Sequence, residues 1–169
     1  MSIAESILPE FDQEMAGTRR TIERIPNDKL DWKAHPKSNT IGWVGSHLAE
    51  IPCWGAGTLT SDSWDIEPPG GEPYRTRQLS SREEMLTEFD KNVAAARAAI
   101  AKTSDEAFAQ DWSLLQGGKV LMTMPRIVVI RSFILNHSIH HRAWLCSYLR
   151  MNDVPVPALY GPSGDETGE

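Results

Sequence analysis

Five histidines stand in this chain of 169 residues, and three of them have the type and spacing to hold a metal ion. His137 and His141 are four residues apart in a strongly apolar stretch, so on a helix both rings project from the same side about one turn apart. Two imidazoles placed that way can chelate one ion, each through a ring nitrogen at about 2.0–2.1 Å. His47 falls among the apolar positions of an earlier amphipathic segment, which could face the first pair inside a helical bundle. Three neutral imidazoles from two helices would leave coordination positions open. That is the pattern of a catalytic ion, since structural zinc is closed by four protein ligands. The competing reading of each histidine is a hydrogen-bonded core residue. Three together favour the metal, because a shared ion satisfies three buried nitrogens at once. Neutral imidazoles are the ligands, so affinity is expected to fall below about pH 6.5.

Other residues add less. Glu50, three positions after His47, could act as a general base or hold a ligand in place, against the alternative of a solvated carboxylate. His140 could replace His141 by pairing with His137 at i, i+3, or could face solvent or a subunit interface; His35, before Pro36, has no assigned role. Trp43 and Trp144 could wall a metal pocket or simply fill a core. Cys53 and Cys146 read as small buried apolar residues without basic neighbours to acidify them. There is no G-x-S-x-G, no phosphate-binding P-loop and no dinucleotide fingerprint.

The elements that must position these residues are helical. Ile3, Ile7, Phe11, Met15, Ile22 and Ile25 mark a first amphipathic helix containing Pro9 and ending at Pro26. Thr40 caps a second, with Ile41, Val44, Leu48 and Ile51 as its stripe, weakened by Gly42 and Gly45 unless closely packed, and bent or ended by Pro52. Residues 60–79 carry Gly70-Gly71 and a run of prolines, and predict a lid, a binding loop or disorder. Ser81-x-x-Glu84 opens a third helix as a capping box, followed by Leu86, Phe89, Val93, Ala96 and Ile100. Gln116-Gly117-Gly118-Lys119 predicts a short hairpin or an extended crossover. A fourth helix should start near Met124-Pro125 and run to about Asn152, its stripe passing through Ile130, Ile134, His137, His141, Trp144 or Leu145, and Tyr148. The expectation is an all-α four-helix bundle with long crossover loops. It forms one domain over residues 1–169, with residues 163–169 as a frayed tail.

Composition bounds the function. With 17 basic and 23 acidic residues the formal net charge is −6, which argues against an electrostatic hold on nucleic acid or an anionic membrane. No apolar stretch approaches the roughly 20 residues of a membrane span. Met1-Ser2-Ile3-Ala4-Glu5 lacks the basic and apolar regions of a secretory signal, so a cytoplasmic setting is expected. Two cysteines are too few for a disulfide framework or a thiolate-rich zinc site.

Two stretches, Ile41-Gly42-Trp43-Val44-Gly45-Ser46-His47-Leu48 and Leu135-Asn136-His137-Ser138-Ile139-His140-His141-Arg142, resemble the DinB/YfiT-like family of four-helix-bundle metalloproteins. Tyr148-Leu149-Arg150, Val154-Pro155-Val156-Pro157 and Tyr160-Gly161-Pro162-Ser163 are similar to that family's C-terminal signature. The resemblance implies an up-up-down-down bundle, commonly a homodimer. It also implies a divalent transition metal, zinc or nickel, held by His47, His137 and His141. Related members transfer or isomerise using low-molecular-weight thiols such as bacillithiol or mycothiol, which implies a small-molecule thiol substrate. The alternatives are a metal-assisted hydrolase, a non-enzymatic stress protein binding metal or a small molecule, and a dimeric scaffold whose histidines are core residues.

Overall fold

A computed structural model describes residues 1–167, and the chain is mostly helical. Helix α1 (Ile3–Ile22) opens on a complete capping box: Ser2 Oγ accepts from the Glu5 N–H at 3.2 Å while the Glu5 carboxylate accepts from the Ser2 N–H at 2.7 Å. Helix α2 (Ile41–Thr60) is capped by Thr40, whose hydroxyl accepts from the Trp43 N–H. It continues through Pro52, where the sequence predicted a bend or an end. Packing of α2 against its neighbours outweighs the proline cost of about 3 kcal/mol. Helix α3 (Arg82–Lys102) begins where expected, but only half of the capping box forms. Ser81 Oγ accepts from the Glu84 N–H, while the Glu84 carboxylate turns back to Ser80.

A short helix α4 (Asp105–Ala109) leads into β2 (Asp111–Gln116) and β3 (Lys119–Pro125), the predicted hairpin. Gly117 and Gly118 have φ of 61° and 75°, and Gln116 pairs with Lys119, as a two-residue loop of left-handed residues requires. The all-α expectation is corrected by a third strand, β1 (Ser63–Asp65), which pairs parallel to β2 with Trp64 opposite Leu114. Three residues within the Pro/Gly-rich crossover have no alternation long enough to announce a strand. Their conformation comes from the edge offered by β2.

The fourth long helical run is not uniform. α5 (Arg126–Val129) passes into a π-helical stretch, Ile130–Asn136, and then into α6 (His137–Met151). Helix α2 packs against α3 and α6, and α1 packs against the same two helices. Their buried residues, including Phe11, Leu48, Phe89, Ile134 and Leu145, form one core. Gly45 lets the backbone of α2 sit close: a Cβ there would lie 2.6 Å from Ile25 Cδ1 and 2.7 Å from Met85 Sδ.

Two buried arginines fasten this frame. Arg126 donates to the Thr58 and Ser61 carbonyls, to the Gln110 side chain and to Asp62, joining the end of α2 to the start of α5 beside the sheet. Arg142 on α6 pairs with Glu14 on α1 at 2.6 Å, both nearly fully buried, and Tyr160 donates to the same carboxylate. The tail expected to fray is held through Glu166, by ion pairs of Asp165 with Arg150 and of Glu166 with Arg24; residues 168 and 169 lie outside the described residues. Among the described residues no helix is long and apolar enough to cross a membrane.

Removing one member of a buried pair strands the other charge. Glu14→Ala is therefore expected to lower stability by roughly 3–5 kcal/mol, and the double variant E14L/R142M to recover most of that loss. Urea unfolding of the three proteins measures both effects; a loss below about 1 kcal/mol for Glu14→Ala would show that the pair is not a fastening.

Candidate functional site

The stripe on α2 carries His47 inward, and the first two turns of α6 carry His137 and His141 to meet it. His137 Nε2 lies 2.9 Å from His141 Nε2 and 3.4 Å from His47 Nε2, and donor atoms of all three rings fall within 4.8 Å of one another. For comparison, nitrogens around a tetrahedral ion at 2.0–2.1 Å are separated by about 3.3–3.4 Å. The two helices thus deliver the three residues singled out by spacing to one point, and do so from a largely dry environment. His47 is 5% and His141 7% exposed, and His137 is half-buried.

Burial sets the charge state of the rings. It lowers His47 to about 4, helped by the neighbouring His137, and lowers His141 to about 3, helped by the other histidines around it. His137 is also lowered by burial, partly offset by the Phe133 carbonyl one turn back. At neutral pH all three rings are therefore neutral and offer lone pairs, the form a metal requires.

A run of side chains from the crossover fixes the ring of His47. His47 Nδ1 lies 2.9 Å from Thr76 Oγ1, which lies 3.3 Å from the Tyr74 hydroxyl, which donates to Glu50 Oε2 at 2.6 Å. An ionised Glu50 can only accept, so the protons of the whole run point toward it. On that assignment Nδ1 of His47 carries the hydrogen and Nε2 presents its lone pair to the other two histidines. Burial raises the pKa of Glu50, while the Tyr74 and Thr76 hydroxyls oppose the rise; Tyr74 is itself raised by burial and by its bond to Glu50.

The residues fit a metal ion on this evidence. Each neutral ring brings one N–H, and that of His47 is committed to Thr76. Without an ion, at most one proton can lie between each pair of these close Nε2 atoms, and every lone pair left over is buried. A cation at the meeting point would take all three Nε2 lone pairs; Nδ1 of His137 and of His141, buried without a hydrogen-bond partner, would then carry the ring N–H.

Aromatic rings close the site. Trp43 stacks on His47 at 4.5 Å between centroids, and Trp54 lies 5.3 Å from His47 and 5.5 Å from His137. Of the two roles open to Trp43, wall or core filler, the structure gives it the wall; Trp54 was missed, although its i+7 spacing from His47 puts it on the same face of α2. Thr76 and Tyr74 were not identified individually, because nothing in a proline-rich crossover shows which way it folds back. His140 is exposed, its ring against His141 and Trp144, and is not one of the converging three. Leu145 is buried while Trp144 is 40% exposed, with its ring 5.1 Å from that of His141. His35 is exposed in its loop and accepts from the Lys37 N–H. Cys53, expected to be buried, is exposed beside Glu50's turn of α2, and Cys146 is partly buried.

The model of the DinB superfamily matches residues 10–145. The chain belongs to the DinB superfamily. Its fold is similar to that of a DinB-like protein from Bacillus cereus, at 20% identity over 94% of this chain and 98% of that one, with a TM-score of 0.71. A DinB-like protein from Bacillus subtilis is similar at 14% identity, covering 91% and 97% of the two chains, with a TM-score of 0.68. Among curated proteins none matches the chain.

Two outcomes follow for this DinB-superfamily site. Thr76→Val leaves His47 Nδ1 without a partner and is expected to weaken zinc binding about 10- to 100-fold, read by competition with a chromophoric chelator; unchanged affinity would remove Thr76 from the site. The pH dependence is displaced from that of ordinary imidazoles. Because folded His47 and His141 are depressed to about 4 and about 3, the unfolded chain takes up protons first as pH falls below about 6.5. Metal-free protein should therefore lose stability progressively from about pH 6.5 down to about 3, while zinc affinity stays within about threefold between pH 7.5 and 6. Chemical denaturation of metal-free protein across that range, and zinc titrations at the two pH values, check the two statements.

Proposed function

We propose that this DinB-superfamily protein is a metal-dependent enzyme. In this reading His47, His137 and His141 hold one divalent transition-metal ion, zinc or nickel, and the substrate is a low-molecular-weight thiol transferred to an electrophile. The observation that supports it is the convergence of three neutral Nε2 atoms, from two helices, with no fourth protein ligand among the described residues. The chemistry such an ion supplies when bound is acidification of a thiol or water presented at its open positions.

The chain's own residues do the rest. The histidines orient the ion's open side, and the rings of Trp43 and Trp54 exclude bulk water from it. Glu50 takes the thiol proton: Oε2 is occupied by Tyr74, leaving Oε1 to receive it, and burial has already raised its basicity. The sulfur then forms its bond to the electrophilic carbon while the leaving group departs with its electron pair. Neither cysteine competes as nucleophile, since both thiols are pushed up, Cys146 by burial and Cys53 by partial desolvation and the neighbouring Glu50 and Glu88. The up-up-down-down helix order, a homodimer and a cytoplasmic setting belong to the same proposal.

Protein purified without a histidine tag should contain about one equivalent of metal, and His137→Ala should lose most of it. Equal trace amounts in both would sink the metal site. With cobalt substituted, added thiols are expected to shift the visible spectrum of wild type and of Glu50→Gln alike, while Glu50→Gln slows transfer by about 100-fold or more. A spectrum indifferent to thiols would leave a metal protein that is not a thiol transferase.

A further inference from the structure

Beside the three histidines, on the far side of Trp54, lies a cavity of about 560 Å³. It is enclosed by α2, the crossover, the sheet and the π-helical stretch, through residues that include Trp54, Trp64, Tyr74, Trp112, Leu114 and Phe133. That volume is in the range of small-molecule sites rather than of packing defects. Its character is aromatic: Trp54, Trp64 and Tyr74 form a contiguous wall, with centroids 4.9–6.0 Å apart. The same Trp54 ring contacts His47 and His137, so the cavity and the metal centre share a side chain.

Two features narrow the occupant. Among the described residues the one charged side chain lining the cavity is Glu50, already bound by Tyr74, which disfavours an anion and offers a cation a carboxylate that is in use. The rest of the lining is uncharged and largely apolar, including Trp112, Leu114, Met122, Val129 and Ile134, so it suits an occupant that loses little by leaving water.

We propose that the cavity binds a small, neutral, aromatic molecule, held along the Trp54–Trp64–Tyr74 wall beside the metal centre. This deepens the enzyme reading by naming the class of electrophile, and it rests on that reading only for what happens to the molecule after it binds. Flat rings match the aromatic wall, and the shared Trp54 places the molecule next to the ion's ligands.

The test uses prodan, a neutral naphthyl ketone whose emission reports polarity and hydrogen bonding, titrated into metal-free and zinc-loaded protein. Saturable one-to-one binding at micromolar concentration is expected in both forms. Gly57 lines the cavity, and a Cβ there meets nothing within 4 Å, so Gly57→Phe should fold normally, fill the space and weaken prodan binding at least about tenfold. Zinc affinity of that variant should be unchanged. The anionic dye 1-anilinonaphthalene-8-sulfonate should bind at least about tenfold more weakly than prodan. Absence of saturable prodan binding, or binding indifferent to Gly57→Phe, overturns the proposal. Equal affinity for the anionic dye overturns its neutrality. Loss of metal binding with prodan binding intact would count against the enzyme reading alone.

Discussion

Three imidazoles brought to one buried point create a proton-counting problem that the rest of the structure is arranged around. A neutral ring has one N–H and one lone pair, and the low-dielectric surroundings resist adding a second proton to any of them. Directing the His47 hydrogen outward through Thr76 and Tyr74 to Glu50 leaves its inner nitrogen as a lone pair. With Nε2 of His137 2.9 Å from that of His141 and 3.4 Å from that of His47, the remaining protons cannot pair every inner lone pair. Such an arrangement is unfavourable by itself and favourable around a cation. The long-range contacts of α2 with α6 exist to hold it, and the core beneath them supplies the stability that the polar cluster does not.

An irregularity directly precedes that cluster. The π-helical stretch Ile130–Asn136 ends directly before His137. One additional residue in a turn shifts the phase of everything after it by about 100°. In this chain Ile134 and Leu135 are both buried before the widened turn hands over to α6, and His141, Leu145 and Tyr148 then share the inward face. A regular helix of the same sequence would also keep Ile130, Ile134, His137, His141, Leu145 and Tyr148 on one stripe, and would leave Leu135 off it. The glycine at position 45 contributes from the other side, by letting the α2 backbone approach α3 and the Ile25 side chain.

What could be read from the residues alone follows from which interactions are local. The stripes of α1, α2 and α3, the Thr40 cap and the Gly117-Gly118 turn are encoded within a few neighbouring positions, and the three histidines declare themselves by lying on such stripes. The π-stretch is invisible because a periodicity of 3.6 tolerates one slip without losing its apolar residues. Strand β1 and the Tyr74–Thr76 segment are set by partners far away in sequence, β2 in the first case and His47 with Glu50 in the second. Glu14 and Arg142 read as two more surface charges until α1 and α6 are packed together, at a sequence separation of 128 residues. Long-range polar pairing is the class of information that patterning omits.

The position of Glu50 ties these levels together. It lies one turn beyond His47 on α2, so its separation from the metal ligands is fixed by the same helix that carries one of them. Through Tyr74 it anchors the crossover, and the crossover in turn closes both the histidine cluster and the neighbouring cavity. A proton gained by Glu50 at Oε1 leaves Oε2 to accept from Tyr74 but takes the charge from that acceptor, so the bond weakens while the direction of the run from His47 is kept. Trp43, stacked on His47, and Trp54, edge-on to it, hold the same ring by packing, so the ligand keeps its place in either charge state of the carboxylate.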